Sequence, residues 1–423
     1  MSELLWVHVG QCGAQLAEEL WEMLNEDHNI DGGQAPGVHP SYTAFRVLKN
    51  GEHAPRNLCI DTDPSSIWDL RKNDRVLSTK WNDAHGVESS GGLYPRGMLS
   101  PVADLARNKT RFLLEESDHP SGVVFFYGCG GGTGSGLTTN VSARLFCDNP
   151  KLKQVHFVVS PNPGMRALPT SPVESYNFGL MANDMLDMTN CNIMVDNDAL
   201  YHICAKKARF IKPNYSYVNK LMSMAVLVAS SGWRLISSPS VKFEDMPTNL
   251  VISPLMKYSV MSLAPIFSYD VYEYDLQTTG DITRELFQPN SYLARCDPQG
   301  GAIAACISYR GEGVSAVSVS TALGEQTVRG GAKFVSWMNP SFKVGITPVP
   351  LPCMFGMKLP VSACMLSNTR GLAPHFGEIH HNFSSMLSRK AFIHWYLNEG
   401  MEFNEFEESL QNLNSILNKY MRR

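Results

Sequence analysis

The chain has 423 residues, 43% of them hydrophobic, and a formal net charge of −4. That length accommodates two or three packed cores, and the slight acidity without any Lys/Arg block excludes nucleic-acid binding by bulk electrostatics. No run is apolar and long enough to span a membrane, and Met1-Ser2-Glu3-Leu4-Leu5-Trp6-Val7 lacks the basic region of a secretory leader, so it reads as a first strand and a cytoplasmic location is expected.

In chain order, strand-like runs alternate with helical ones: Leu4 to Gly10, then Gln11 to Asn25; Arg56 to Asp61; Gly122 to Gly128, then Ser135 to Phe146; Gln154 to Ser160; Asn192 to Asp196. This alternation predicts an α/β fold with a parallel, doubly wound sheet and ligand loops at the C-terminal ends of its strands. Residues 30–58 and 83–97, rich in Gly, Pro, Ser, Asn and His, predict surface loops. Tyr215 to Leu235, bordered by Pro213 and by Ser237-Ser238-Pro239, predicts a long buried helix between domains. A second, mixed α/β domain is expected from about residue 236, with β-like runs at Ala302 to Tyr309, Lys333 to Trp337 and Ala363 to Leu366. From Gly371 onward, Phe383, Met386, Leu387, then Phe403, Phe406, Leu410 and Leu413 recur at three- and four-residue spacing, the pattern of packed helices. The ten cysteines are scattered with no C-x-x-C pair, and Cys59, Cys306 and Cys364 lie in apolar runs, which predicts buried free thiols and neither disulfides nor zinc.

The stretch richest in chemistry is Gly128-Cys129-Gly130-Gly131-Gly132-Thr133-Gly134-Ser135-Gly136, with six glycines in nine positions. It follows a strand and opens a helix, so its backbone N–H groups are expected at a helix N-terminus, where an anion such as phosphate is favoured. Thr133 and Ser135 add hydroxyl donors. The G-x-G-x-x-G spacing is absent from this stretch and no Gly-Lys-Ser/Thr occurs in the chain, which argues against a dinucleotide oxidoreductase and against a Walker loop.

The order Gly-Gly-Gly-Thr-Gly-Ser-Gly resembles the signature of the tubulin superfamily, and further matches follow the family's order along almost the whole chain. Gly10-Gln11-Cys12-Gly13-Ala14-Gln15 is similar to the first phosphate loop, which implies phosphate contacts by Gly10, Gln11, Cys12 and Gln15. Asp61-Thr62-Asp63-Pro64 is similar to the acidic loop, implying that Asp61, Asp63 and Gln11 stand near Mg²⁺. The resemblance implies phosphate contacts at Gly128, Gly130, Gly131, Gly132, Thr133 and Gly134, and a ribose contact at Glu174 within Val173-Glu174-Ser175-Tyr176-Asn177. Val195-Asp196-Asn197-Asp198-Ala199-Leu200 is similar to the base-binding segment. Asn197 and Asn219 carry amides with both donor and acceptor, as guanine requires, and Tyr215 is an aromatic surface for stacking. Taken singly, each also reads as a helix cap or a core-rimming side chain. The architecture implied is a GTP-binding domain (1–214), a central helix (215–235), an intermediate domain (236–370) and C-terminal helices (371–423), with GTP/GDP and Mg²⁺ as cofactors.

Tubulins hydrolyse GTP with an acid supplied by the next subunit. Counting back from Thr248-Asn249-Leu250-Val251, that position falls on Asp245, with Glu244 beside it. Two readings stay open here: an acid that orients water in a neighbour's site, or a solvated, helix-capping pair. Several features depart from the family. Ala14 replaces an asparagine. Ser90-Gly91-Gly92-Leu93-Tyr94-Pro95-Arg96-Gly97 stands where the family carries a Gly-Asn-Asn-Trp loop at the γ-phosphate, so Gly92 and Leu93 lack its two amides; Gly91 and Gly92 stay among the candidate contacts. The 30–58 loop is short, and Lys419-Tyr420-Met421-Arg422-Arg423 lacks the acidic tail that motors read, so little motor binding is expected. The partners implied are further copies or other tubulin subunits, head to tail. Two functions follow: a filament-forming, assembly-coupled GTPase, or a specialised GTP-binding tubulin of microtubule ends or basal bodies that seldom polymerises.

Overall fold

The structure, a computed structural model, describes residues 3–29, 43–49, 52–71, 81–161, 171–210, 212–266, 278–297, 299–339, 341–352 and 359–422. Their strands are β1 (Glu3–Val9), β2 (Phe45–Val47), β3 (His53–Pro55), β4 (Asn57–Asp61), β5 (Asp83–His85), β6 (Pro120–Gly128), β7 (Lys153–Ser160), β8 (Cys191–Asp196), β9 (Tyr258–Ala264), β10 (Ala302–Gly311), β11 (Phe342–Thr347) and β12 (Val361–Thr369). Ten of them form one sheet in the order β11-β10-β12-β9-β8-β7-β6-β1-β4-β5, while β2 and β3 pair separately. From β5 across to β9 every pairing is parallel, and β12 is antiparallel to both β9 and β10.

The parallel strands are buried on both faces, which is why they read as unbroken apolar runs. Along β6, Val124 and Phe126 enter one core with Trp6, Trp21 and Val226, whereas Val123, Phe125 and Tyr127 enter the other with Tyr176, Phe376 and Phe406. The first face is covered by the helix Gly10–His28 packed on the central helix Tyr215–Ala229; the second is covered by Glu174–Asp184 and the C-terminal helices Ala373–Ser388 and Phe403–Met421. Among the described residues no helix is long and apolar enough to cross a membrane.

Three expectations change. Residues 333–337 make a single bridge, Ala302 to Phe334, before the chain turns at Ser336 and Trp337; the strand on that edge is Phe342–Thr347 instead. The central helix stops at Ala229, because the Arg234 guanidinium donates to the Ser230 hydroxyl at 2.9 Å and to the Leu227 carbonyl at 2.9 Å, closing the helix end onto the short turn Ser231–Arg234. The two loop regions also contain structure: β2, β3, β5 and the helix Tyr94–Met98, while residues 30–42 and 50–51 lie outside the described residues.

A buried ionic knot ties the frame together. Asp27, at the end of the first helix, accepts from Arg234 at 2.8 Å and from Arg310 of β10 at 3.0 Å, with all three side chains at most 1% exposed.

Candidate functional site

Chain order reverses between β1, which leads out to β4, and β6, which leads out to β7, so a crevice opens beyond the C-terminal ends of these strands. It is a cleft of about 490 Å³ lined by segments that follow successive strands: Val9–Cys12, Asp61–Asp63 with Ser65 and Ser66, Ser89, Ser90 and Gly92, Gly128 with Gly130–Gly134, and Val159–Pro161; Glu174, Asn197 and Tyr215 complete the wall.

Gly10 has φ 72° at the exit of β1, a left-handed conformation that a side chain resists. Within the glycine run, space decides the roles. A Cβ on Gly132 would overlap the Leu93 backbone, one on Gly134 the Gly128 carbonyl, and one on Gly136 the Tyr94 carbonyl. These three are glycines because the protein's own backbone passes there. Gly131 alone of the run has open space where a Cβ would stand, so its backbone is the part of the run left open to approach from the cleft.

Thr133 opens a π-helical turn, Thr133–Leu137, a local widening common at functional sites. Its hydroxyl bonds those of Thr62 at 2.7 Å and Ser90 at 2.9 Å, pinning the glycine, acidic and 89–92 loops to one point. Ser135 does not supply the donor expected of it: its buried hydroxyl donates to the Gly131 carbonyl at 2.6 Å.

In the acidic loop, Asp61 accepts from the Ser66 hydroxyl and from the Asp63 N–H at 3.3 Å, and Asp63 accepts from the Ser65 N–H at 2.9 Å. Burial pushes the Asp61 carboxyl above its ordinary value against the pull of Ser66, and burial likewise raises Glu174. A cation or ligand donor would favour the ionised forms. Burial pushes the Cys12 thiol up to about 11, leaving it neutral at the cleft wall. Among the described residues no group of three or more His, Cys, Asp or Glu could hold a metal. Two carboxylates and the Gln11 amide on one cleft nevertheless fit Mg²⁺, which takes one or two carboxylates and completes its shell with phosphate and water oxygens.

At the other end, Asp196 caps the helix Asn197–Lys206 by accepting from the Asp198 N–H at 2.9 Å and pairs with Arg295 at 3.3 Å, which fixes Asn197 at the helix start. Tyr215 is 48% exposed and meets Tyr201 edge-on at 6.0 Å, leaving a ring face open. The wall between the two ends holds Ser160, hydrogen-bonded to His375 Nε2 at 2.6 Å; burial pushes His375 down to about 4, so the imidazole is neutral.

Of the expected site residues, Gly10, Gln11, Cys12, Asp61, Asp63, Gly92, Gly128, Gly130, Gly131, Gly132, Thr133, Gly134, Glu174, Asn197 and Tyr215 line this cleft. Gln15, exposed one turn beyond Gln11, half-buried Asn219 one turn beyond Tyr215, and Gly91 lie outside its lining. Glu244 and Asp245 stand elsewhere. Phe243 packs on Gly122 near the start of β6, whereas Gly128 at the end of β6 lines the cleft, a separation of about 20 Å at ~3.3 Å per residue. Asp245 starts the helix Asp245–Leu250, pairs with Lys343 at 3.1 Å and accepts from the Lys242 N–H at 3.0 Å. Sequence reasoning missed Thr62, Ser66, Ser90 and Ser160; the first two adjoin the acidic motif, and hydroxyls beside carboxylates were the signal available.

Residues 3–205 match the GTPase domain of the Tubulin/FtsZ family, and residues 254–381 match the Tubulin C-terminal domain. The chain is 31% identical over 436 residues to the Tubulin alpha-1B chain of Physarum polycephalum, covering 99% of this chain and 96% of that relative. It is similar to the same extent to the Tubulin alpha-2B chain of that organism. The GTPase-domain match takes in every segment of the cleft wall except Tyr215.

Proposed function

Because the chain belongs to the tubulin family, we propose that it binds GTP or GDP with Mg²⁺ in this cleft and works as a cytoskeletal subunit that assembles head to tail with copies of itself or with other tubulins, hydrolysing GTP in trans. Phosphates would lie along Gly10–Cys12 and the glycine loop, Asp61, Asp63 and Gln11 would hold the ion, Glu174 would accept from a ribose hydroxyl, and Asn197 would read guanine under Tyr215, with Asn219, one turn beyond Tyr215 and outside the lining, reaching the base only if its side chain turns toward it. Bound Mg²⁺ supplies charge neutralisation on the terminal phosphate oxygens.

The observation that carries this reading is the placement of cleft and acid at opposite ends of the same strands. Asp245 is too far to serve the chain's own cleft, but head-to-tail stacking brings it to the cleft of the next subunit. There the carboxylate accepts a hydrogen bond from water and orients it for in-line attack; the new P–O bond forms as the bond to the β–γ bridging oxygen breaks, and GDP leaves with the electron pair.

A second reading is favoured by one contact. The Lys343–Asp245 pair engages the acid within its own subunit, as suits a specialised tubulin of a basal body or microtubule-organising centre that binds GTP and seldom polymerises. Sedimentation with GTP, GDP or no nucleotide, with phosphate release followed in the same tubes, separates them. GTP-dependent pelleting with phosphate release supports the first reading. Nucleotide binding without pelleting selects the second, and absence of guanine-nucleotide binding overturns both.

A further inference from the structure

The side chain of Asn177 sits in the first turn of the helix Glu174–Asp184, fully buried, and uses its whole hydrogen-bonding capacity. Its Nδ2 donates to the Gly92 carbonyl at 2.8 Å and to the Gly130 carbonyl at 2.7 Å. Its Oδ1 accepts from the Tyr94 N–H at 3.2 Å and from the Tyr396 hydroxyl at 2.7 Å. One amide therefore joins the 89–94 loop, the glycine loop and the C-terminal helical layer.

The Gly130 contact has a directional effect. The peptide bond between Gly130 and Gly131 is trans, so its N–H points opposite to its carbonyl. With the Gly130 carbonyl turned to Asn177, the Gly131 N–H is turned away from it, at the glycine whose side-chain space is open. Tyr396 is itself fixed: it is fully buried, packed edge-on against Tyr176 at 5.8 Å and Phe406 at 5.4 Å. A second link from the same layer, the Arg96 guanidinium donating to Glu399 at 2.8 Å, holds the helix Tyr94–Met98 from outside.

We propose that Asn177 is a positioning residue for the phosphate end of the cleft, orienting the Gly130–Gly131 and Gly92 backbones, and that Tyr396 transmits the position of the C-terminal helices to it. The inference rests on the reading that nucleotide phosphates occupy this end. It makes phosphate affinity depend on the packing of a layer that touches no ligand, and so provides a route by which a partner seated on those helices alters nucleotide discrimination.

The test compares binding of GTP, GDP and GMP by the full wild-type chain, Asn177→Leu and Tyr396→Phe. Asn177→Leu is expected to lower GTP affinity about tenfold, the scale of one or two lost hydrogen bonds, while GMP affinity stays at the wild-type level. Tyr396→Phe, which removes a single oxygen, is expected to lower the GTP-to-GMP affinity ratio about two- to threefold, and it carries the test by itself if Asn177→Leu does not fold. Parallel loss for all three nucleotides, or an unchanged ratio in Tyr396→Phe, overturns the inference while leaving the GTP site standing. A wild-type chain that binds none of the three overturns the reading of the cleft, and the inference with it.

Discussion

The Asp245 carboxylate lies 3.1 Å from the Lys343 ammonium, so the acid proposed to serve a neighbour's cleft is engaged within its own subunit. The pair is about one-third exposed on each side, and such pairs contribute under about 1 kcal/mol. Lys343→Gln should therefore leave the melting temperature nearly unchanged and raise phosphate release in assembled protein, while Asp245→Asn abolishes release with GTP affinity intact. Release from Asp245→Asn polymer at the wild-type rate would assign the acid elsewhere.

The glycine loop separates into structural and ligand-facing positions, and the two classes should fail differently. Gly134→Ala forces a methyl against the Gly128 carbonyl, and an overpacked site of this kind costs roughly 1–3 kcal/mol of stability. Gly131→Ala meets no atom of the protein and should fold normally while losing affinity for GTP. Thermal unfolding and nucleotide titration on the two variants distinguish them; equal loss of stability would contradict the division.

Asn197 opens its helix at the end of the cleft proposed to hold the base, with Asp196 fixing the helix start. Asn197→Asp removes the amide donor, so GTP binding should weaken by ~10-fold or more, with the preference for GTP over ATP reduced. Competition between the two nucleotides measures it, and an unchanged preference sinks the assignment of the base site.

Stability should fall on the acid side of neutrality. His8 and His156 are buried and pushed down to about 3 by burial. The unfolded chain protonates them below about 6.5 while the folded chain does not, so between about pH 6.5 and about 3 the unfolded state binds more protons and stability declines as pH drops. Burial opposes ionisation of Asp27, yet Arg310 and Arg234 hold its carboxyl well below the ordinary range, so its contribution is intact above about pH 4 and is lost on further acidification. The melting temperature at about pH 5 should thus lie below that at about pH 7.5. His156→Phe should flatten the dependence, and a flat wild-type profile would refute the account.

Much of this was legible in the sequence because the parallel strands are buried on both faces, and Val123–Tyr127 or Cys191–Asp196 leave little choice of conformation. The loops at their ends followed from the order of strands. What stayed hidden depends on distant partners. Phe334 and Phe342 are both apolar and lie close together at 5.2 Å, yet only the segment beginning at Phe342 finds a continuous hydrogen-bonding neighbour, Ala305 to Arg310 of β10. Ser135 looks like a ligand donor until the π-turn brings it under the Gly131 carbonyl. Asn177 reads as an ordinary helical asparagine, since its partners lie 83, 85, 47 and 219 residues away along the chain.

The sheet passes without a break from β5 to β11, with β9 paired to β8 through Asn192 and Tyr258 and the Asp27 knot clamping β10 to the first helix. Ten strands at ~4.8 Å spacing make a slab about 43 Å across. Strand-to-strand pairing therefore runs unbroken across the described residues, so the cleft beyond the ends of β1, β4 and β6 and the Asp245–Lys343 pair beside β11 are carried on one continuous hydrogen-bonded frame.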